Sequence, residues 1–100
     1  MSKFSELIKG NKPVLVDFYA DWCGPCKTMA PILKQVKSTM GDRISIVKVD
    51  VDRNQEAAGK YEVRSIPTLI LFKNGKQVWR QSGVVPANQL LSVLKEKASV

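Results

Sequence analysis

Apolar side chains recur along this chain with two different periods, and the switches between them divide it into alternating helices and strands. Phe4, Leu7 and Ile8 follow a helical spacing, with Ser2 placed to cap that helix and Gly10 and Pro13 to end it. From Val14 to Tyr19 the chain is apolar on both faces except at Asp17, the pattern of an internal strand packed above and below. A longer helical stripe follows in Met29, Ile32, Leu33, Val36 and Met40. Gly41-Asp42 stops it, and Pro31 inside it predicts a kink.

The second half repeats the alternation. Ile44 to Val51 is β-branched and mostly apolar, so it reads as a strand, and the strand-helix-strand order favours parallel pairing through a right-handed crossover. Asn54 is placed to cap a short helix running through Tyr61. Thr68–Phe72 and Gln77–Gln81 flank Asn74-Gly75, a dipeptide suited to positive φ, and Lys73 and Lys76 complete the hairpin connection. Pro86 opens a last helix with Ala87, Leu90, Leu91, Leu94 and Ala98 on its buried face. The expected fold is α/β, a mixed sheet of about four strands with helices on both faces, and neither a repeat nor a linker divides residues 1–100 into more than one domain.

Composition narrows the function. An apolar fraction of 44% over 100 residues suits one compact core. The start of the chain is polar within a few residues, unlike a secretory signal, and the run Leu69-Ile70-Leu71-Phe72 is far too short to cross a bilayer. A cytoplasmic protein without a membrane segment is the expectation. The formal charge is +7, yet the lysines and arginines from Lys3 to Lys97 are scattered without a basic block or interleaved aromatics, so a solvated basic surface is expected rather than nucleic-acid binding.

Two cysteines are too few to staple a secreted scaffold, and structural disulfides are rare in the cytosol, so the pair calls for a chemical reading. Trp22-Cys23-Gly24-Pro25-Cys26-Lys27 falls where the first strand gives way to the long helix. At that junction the unpaired N–H groups and the positive end of the helix dipole stabilise a thiolate at Cys23, and Lys27 adds a nearby charge. Pro25 suits the first turn, where its missing N–H has no partner to lose. Residues three apart lie on one helix face, so Cys23 and Cys26 are able to close a small ring, a poor staple and a good labile switch. Cys23 is expected to be the exposed attacker and Cys26 the shielded thiol that resolves a mixed disulfide. A zinc half-site shared between two chains and a pair of buried spectator thiols are the other readings; with no His and no further Cys, one chain does not complete a Cys/His zinc set.

Asp17 lies in the apolar strand leading to the cysteines. Burial without a partner raises a carboxylate's pKa, which equips it to take the proton of Cys26 during resolution, and Lys48 in the second strand is the candidate ionic neighbour. The alternative puts Asp17 in solvent at a strand end and Lys48 on an open sheet face.

The stretch from Val14 to Lys27, with Ile66-Pro67-Thr68 and the glycines Gly75 and Gly83, resembles thioredoxin over nearly the whole chain. The resemblance implies that Cys23 is the nucleophile, Cys26 the resolving thiol, Asp17 the buried proton acceptor and Lys48 its partner. It also implies a cis Ile66–Pro67 bond, a shallow substrate groove formed by Trp22, Ile66, Pro67 and the loop at Gly83, and the redox tuning of a reducing member from Gly24-Pro25. A monomeric general protein-disulfide reductase is therefore expected. It needs no bound cofactor, acts on disulfide-containing proteins and is recharged by an NADPH-dependent flavoprotein reductase. A thioredoxin-like binding module with dispensable thiols is the competing class. Because little chain precedes the first helix, a sheet of about four strands is expected, with the five of relatives that carry an opening strand as the alternative. Tyr19 also stands where tryptophan is common in the family, and Trp79 on the hairpin is assigned to packing.

Overall fold

The computed structural model describes residues 2–100, with side chains from Phe4 onward. Its elements in chain order are α1 (Ser2–Lys9), β1 (Val14–Tyr19), α2 (Gly24–Met40), a 3-10 turn (Gly41–Arg43), β2 (Ser45–Asp50), α3 (Gln55–Lys60), β3 (Thr68–Lys73), β4 (Lys76–Ser82) and α4 (Ala87–Ala98). The strands form one sheet in the order β2-β1-β3-β4, with β1 parallel to β2 and antiparallel to β3. The capping role assigned to Ser2 lies outside the described side chains.

Strand β1 explains the layering, because its side chains alternate between two separate cores. Leu15 points into a cluster with Met29, Leu33 and Val36 of α2 and Leu90 and Leu94 of α4. Val14, Val16 and Phe18 point the other way, toward Ile8 of α1 and Ala57 of α3. Both faces of β1 and β3 are therefore covered, as their unbroken apolar runs require.

Several local expectations need correction. Leu7 is 55% exposed, and the buried edge of α1 is Ile8 together with Phe4, whose ring lies 5.6 Å from that of Tyr61. Asn54 occupies the N-cap position of α3 without capping it, since its amide donates instead to the carbonyl of Asp50. Pro86 is the N-cap of α4 rather than its first residue. Strand β2 loses Ile44 and Val51 at its ends, although Ile44 is fully buried and Lys37 Nζ donates to its carbonyl.

The hairpin is tighter than expected, because pairing extends to Lys73 and Lys76 and leaves only Asn74-Gly75 as the turn. Both turn residues have positive φ, 55° and 80°, and the Gly75 N–H donates to the Ile8 carbonyl at 2.8 Å. The turn thereby anchors the end of α1.

Two glycines should respond to alanine in opposite directions. Gly75→Ala keeps ordinary contacts with Lys9 but forces a side chain into left-handed backbone, so urea unfolding should show a loss of about 1–2 kcal/mol. Gly59→Ala, in α3 with open space around it, should gain about 0.5–1 kcal/mol.

Candidate active site

The end of β1 delivers the cysteines to the start of α2. The turn between them is closed by the Cys23 N–H donating to the Ala20 carbonyl at 3.2 Å. Cys23 is then the N-cap in extended backbone, and its Sγ accepts the N–H of Cys26 at 3.2 Å, in the place where a serine or aspartate oxygen caps most helices. Gly24 opens the helix and Pro25 follows in the first turn, so the proline removes an N–H that has no intrahelical partner. The Cα atoms of Cys23 and Cys26 lie 5.3 Å apart and the sulfurs are joined in a disulfide.

The expected contrast in burial is absent in this oxidised form. Cys23 is 4% exposed and Cys26 5%, because each sulfur covers the other and Ile66, Tyr19 and Ala20 pack against the pair. What separates the two is hydrogen bonding. Only the Cys23 sulfur sits in the cap position, aimed at the open amides of α2.

Asp17 is fully buried, and neither carboxyl oxygen has a hydrogen-bond partner among the described residues. Alternation along β1 puts it on the face covered by α2. Burial pushes its pKa from 3.8 up to about 6, and the positive charge of Lys48 pulls part of the way back. Lys48 is its register neighbour across the parallel pair, but no ion pair forms; the ammonium lies 4.7 Å from the centre of the Tyr19 ring. A narrow cavity lined by Tyr19, Ala20, Asp21, Cys26, Lys27, Ala30 and Lys48 opens beside the second cysteine.

On the other side of the pair a shallow cavity of about 160 Å³ is lined by Trp22, Val51, Val63, Arg64, Ser65 and Ile66. Trp22 is 70% exposed, an unusual position for so large an apolar ring, and its Nε1 donates to Asp52 Oδ2 at 2.9 Å. The Ile66–Pro67 bond is cis. The Gly83 N–H donates to the Pro67 carbonyl at 2.8 Å, and the buried Thr68 Oγ1 reaches both the Ser65 carbonyl and Ser82 Oγ. Cys23, Cys26, Trp22, Ile66, Pro67 and Gly83 therefore converge at one end of the sheet, with Asp17 beneath and Lys48 to one side.

Sequence reasoning missed the residues that hold this groove. Asp52 orients Trp22 from 30 positions away, and Thr68 with Ser82 ties the two loops together. Arg80 reaches from β4 to the carbonyls of Tyr61 and Glu62, at the root of the Val63–Ile66 segment. A usable signal existed only for Asp52, which follows the carboxyl end of the second strand, the sheet end where α/β proteins place functional loops.

A thioredoxin family model matches residues 1–96. Chloroplastic thioredoxin Y from Oryza sativa subsp. japonica is 48% identical over 100 residues, and the match covers 99% of this chain and 60% of that protein. A thioredoxin-like protein from Synechocystis sp. is 50% identical over 95 residues, covering 94% of this chain and 90% of the relative. Among solved structures, a mutant thioredoxin from Halobacterium salinarum superposes with a TM-score of 0.88 at 34% identity, covering 100% of this chain and 87% of that one.

The buried carboxyl of Asp17 makes a signed prediction. It is neutral in the folded and unfolded chains only well below its ordinary value of 3.8, at about pH 2.5, whereas above pH 6 the folded chain must hold it ionised, at a cost of about 3 kcal/mol for a rise from 3.8 to about 6. Asp17→Asn should therefore raise the unfolding free energy by about that amount at pH 8, with the gain fading as pH falls through 6 toward 3.8 and gone at about pH 2.5. Equal effects at the two pH values in urea titrations would contradict the assignment.

Proposed function

The chain belongs to the thioredoxin family of dithiol-disulfide oxidoreductases, and on that premise we propose that it works as a general protein-disulfide reductase in the cytoplasm. The observation that carries the reading is the Cys23–Cys26 disulfide at the first turn of α2, with the Cys23 sulfur in the cap position. In the reduced protein the same site stabilises a Cys23 thiolate.

The reaction runs by two exchanges. The Cys23 thiolate attacks one sulfur of a substrate disulfide, forming a mixed disulfide and releasing the first substrate thiolate, which takes a proton from solvent. Cys26 then gives its proton to the Asp17 carboxylate and attacks the Cys23 sulfur. The second substrate sulfur leaves as a thiolate and takes up the proton that Asp17 received or one from solvent, and the two electrons that reduced the substrate are those lost in forming the Cys23–Cys26 bond. At neutral pH a group titrating near 6 is mostly ionised and free to accept that proton. Lys48 keeps Asp17 from rising further, so the two act as an electrostatic pair without direct contact.

Substrate binds across the groove of Trp22 and Ile66, with the buried cis Pro67 shaping the chain beneath it, and this surface selects by shape and backbone contact more than by sequence. Gly83 braces the far side through its bond to Pro67. Gly24 and Pro25 set the geometry of the first turn and, with it, the reducing poise of the pair. The oxidised pair is returned to the dithiol by an NADPH-dependent flavoprotein reductase, and the chain works as a single monomeric domain.

Two assays test the scheme together. The reduced protein should accelerate insulin-disulfide reduction by dithiothreitol, and Cys26→Ser should accumulate substrate proteins in mixed disulfides through Cys23. No acceleration over dithiothreitol alone would contradict the function, and trapping seen only through Cys26 in a Cys23→Ser variant would reverse the roles.

A further inference from the structure

Among the described residues strand β2 is an edge, with β1 on one side and no strand on the other. The N–H groups of Ser45 and Val51 cross to Pro13 and Tyr19, so by alternation the peptide groups of Val47 and Val49 also face β1 and those of Ile46 and Lys48 face outward. Neighbouring outward acceptors are already engaged: Lys37 Nζ donates to the Ile44 carbonyl, and the Asp50 carbonyl accepts from Arg53 and Asn54. The open stretch of edge is thus short and centred on Ile46 and Lys48.

Beside it lies a groove of about 210 Å³ between β2 and α2, floored by Ala30, Leu33 and Ile46 and rimmed by Lys34, Lys37 and Lys48. That volume falls below the 300–1,000 Å³ typical of small-molecule sites and suits a few side chains of an extended segment. The groove shares Ala30 and Lys48 with the cavity that reaches Cys26, where Lys27 adds a fourth ammonium and Asp21 is the one acidic side chain. None of the four lysines is in an ion pair among the described residues. Lys37 is spent on the carbonyls of Gly41 and Ile44, which leaves Lys27, Lys34 and Lys48 to meet an incoming anion.

We propose that the β2 edge and this groove form a docking surface for an extended acidic segment of the protein partner, which adds as a strand beside Ile46 and Lys48. Its apolar side chains enter over Leu33 and Ile46, and its carboxylates face Lys34, Lys48 and Lys27. Main-chain pairing supplies affinity, and the charge supplies both selectivity and a faster encounter. The inference rests on the reductase reading, because the groove leads to the second cysteine and so places a docked partner's disulfide near the redox pair. It gives the net charge of +7 a use in choosing acidic partners.

Synthetic disulfide peptides with one common cystine loop test this, carrying an extension of alternating Glu and Val, of alternating Lys and Val, or of Ser and Gly. With the reduced full chain at low salt, the acidic extension should raise kcat/KM about tenfold over the neutral one, and the basic extension should lower it. The advantage should vanish near roughly 1 M salt, where charges are screened within a few ångströms. Lys34→Glu, on the exposed face of α2, should bring the acidic-to-neutral ratio to one or below. Equal kcat/KM for all three peptides would overturn the docking surface and leave the reductase reading standing, whereas reduction of none would remove that reading itself. Survival of the acidic advantage after N-methylation of alternate amides in the extension would overturn the added strand. A stable dimer in sedimentation, with Lys34 protected from acylation, would assign the edge to a second copy and overturn the acidic partner.

Discussion

One sulfur in place of a capping oxygen organises this protein. The Cys23 Sγ that accepts the Cys26 N–H is held at the open end of α2, the point of greatest positive potential that the backbone offers locally. Everything that positions that helix end serves the chemistry. Strand β1 carries the chain there through the middle of the sheet, clamped by β2 on one side and β3 on the other, and the Ala20–Cys23 turn fixes the entry angle.

The price of such a site is a carboxylate left without a partner in the core. Asp17 could be replaced by an apolar residue at a gain in stability, and its position on the α2 face of β1 is what such a sequence would otherwise avoid. Its placement matches the need for a base that is ionised at neutral pH yet close to its titration point. Lys48, spread over the Tyr19 ring, moderates the cost without closing an ion pair that would hold Asp17 permanently ionised.

Much of this was legible along the chain, for reasons that differ by residue. Helix and strand identities followed from periodicity, and closure of Cys23 to Cys26 followed from a spacing that any helix start supports. The burial of Asp17 was readable only in part: Leu15 and Tyr19, on the same face of β1, are apolar, but an exposed strand end stayed open until α2 was seen to cover that face. Contacts made across long separations left no such mark. Only its place after the second strand marks Asp52, and nothing pairs it with Trp22; nothing in β4 announces that Arg80 will hold the Tyr61–Glu62 carbonyls, and the Ile66–Pro67 cis bond was known only through resemblance. Asn54 and Leu7 show the limit of local rules, since a residue suited to a cap or an apolar stripe was drawn elsewhere by neighbours that the sequence pattern does not reveal.

The most direct measurement is the pH dependence of iodoacetamide alkylation at Cys23 in the fully reduced protein. Ionisation at the helix mouth predicts a half-maximal rate below about pH 7.5, against about 8.5 for a free thiol. A Cys23 that reacts only as an ordinary thiol, with its midpoint at or above 8.5, would contradict the account at its foundation.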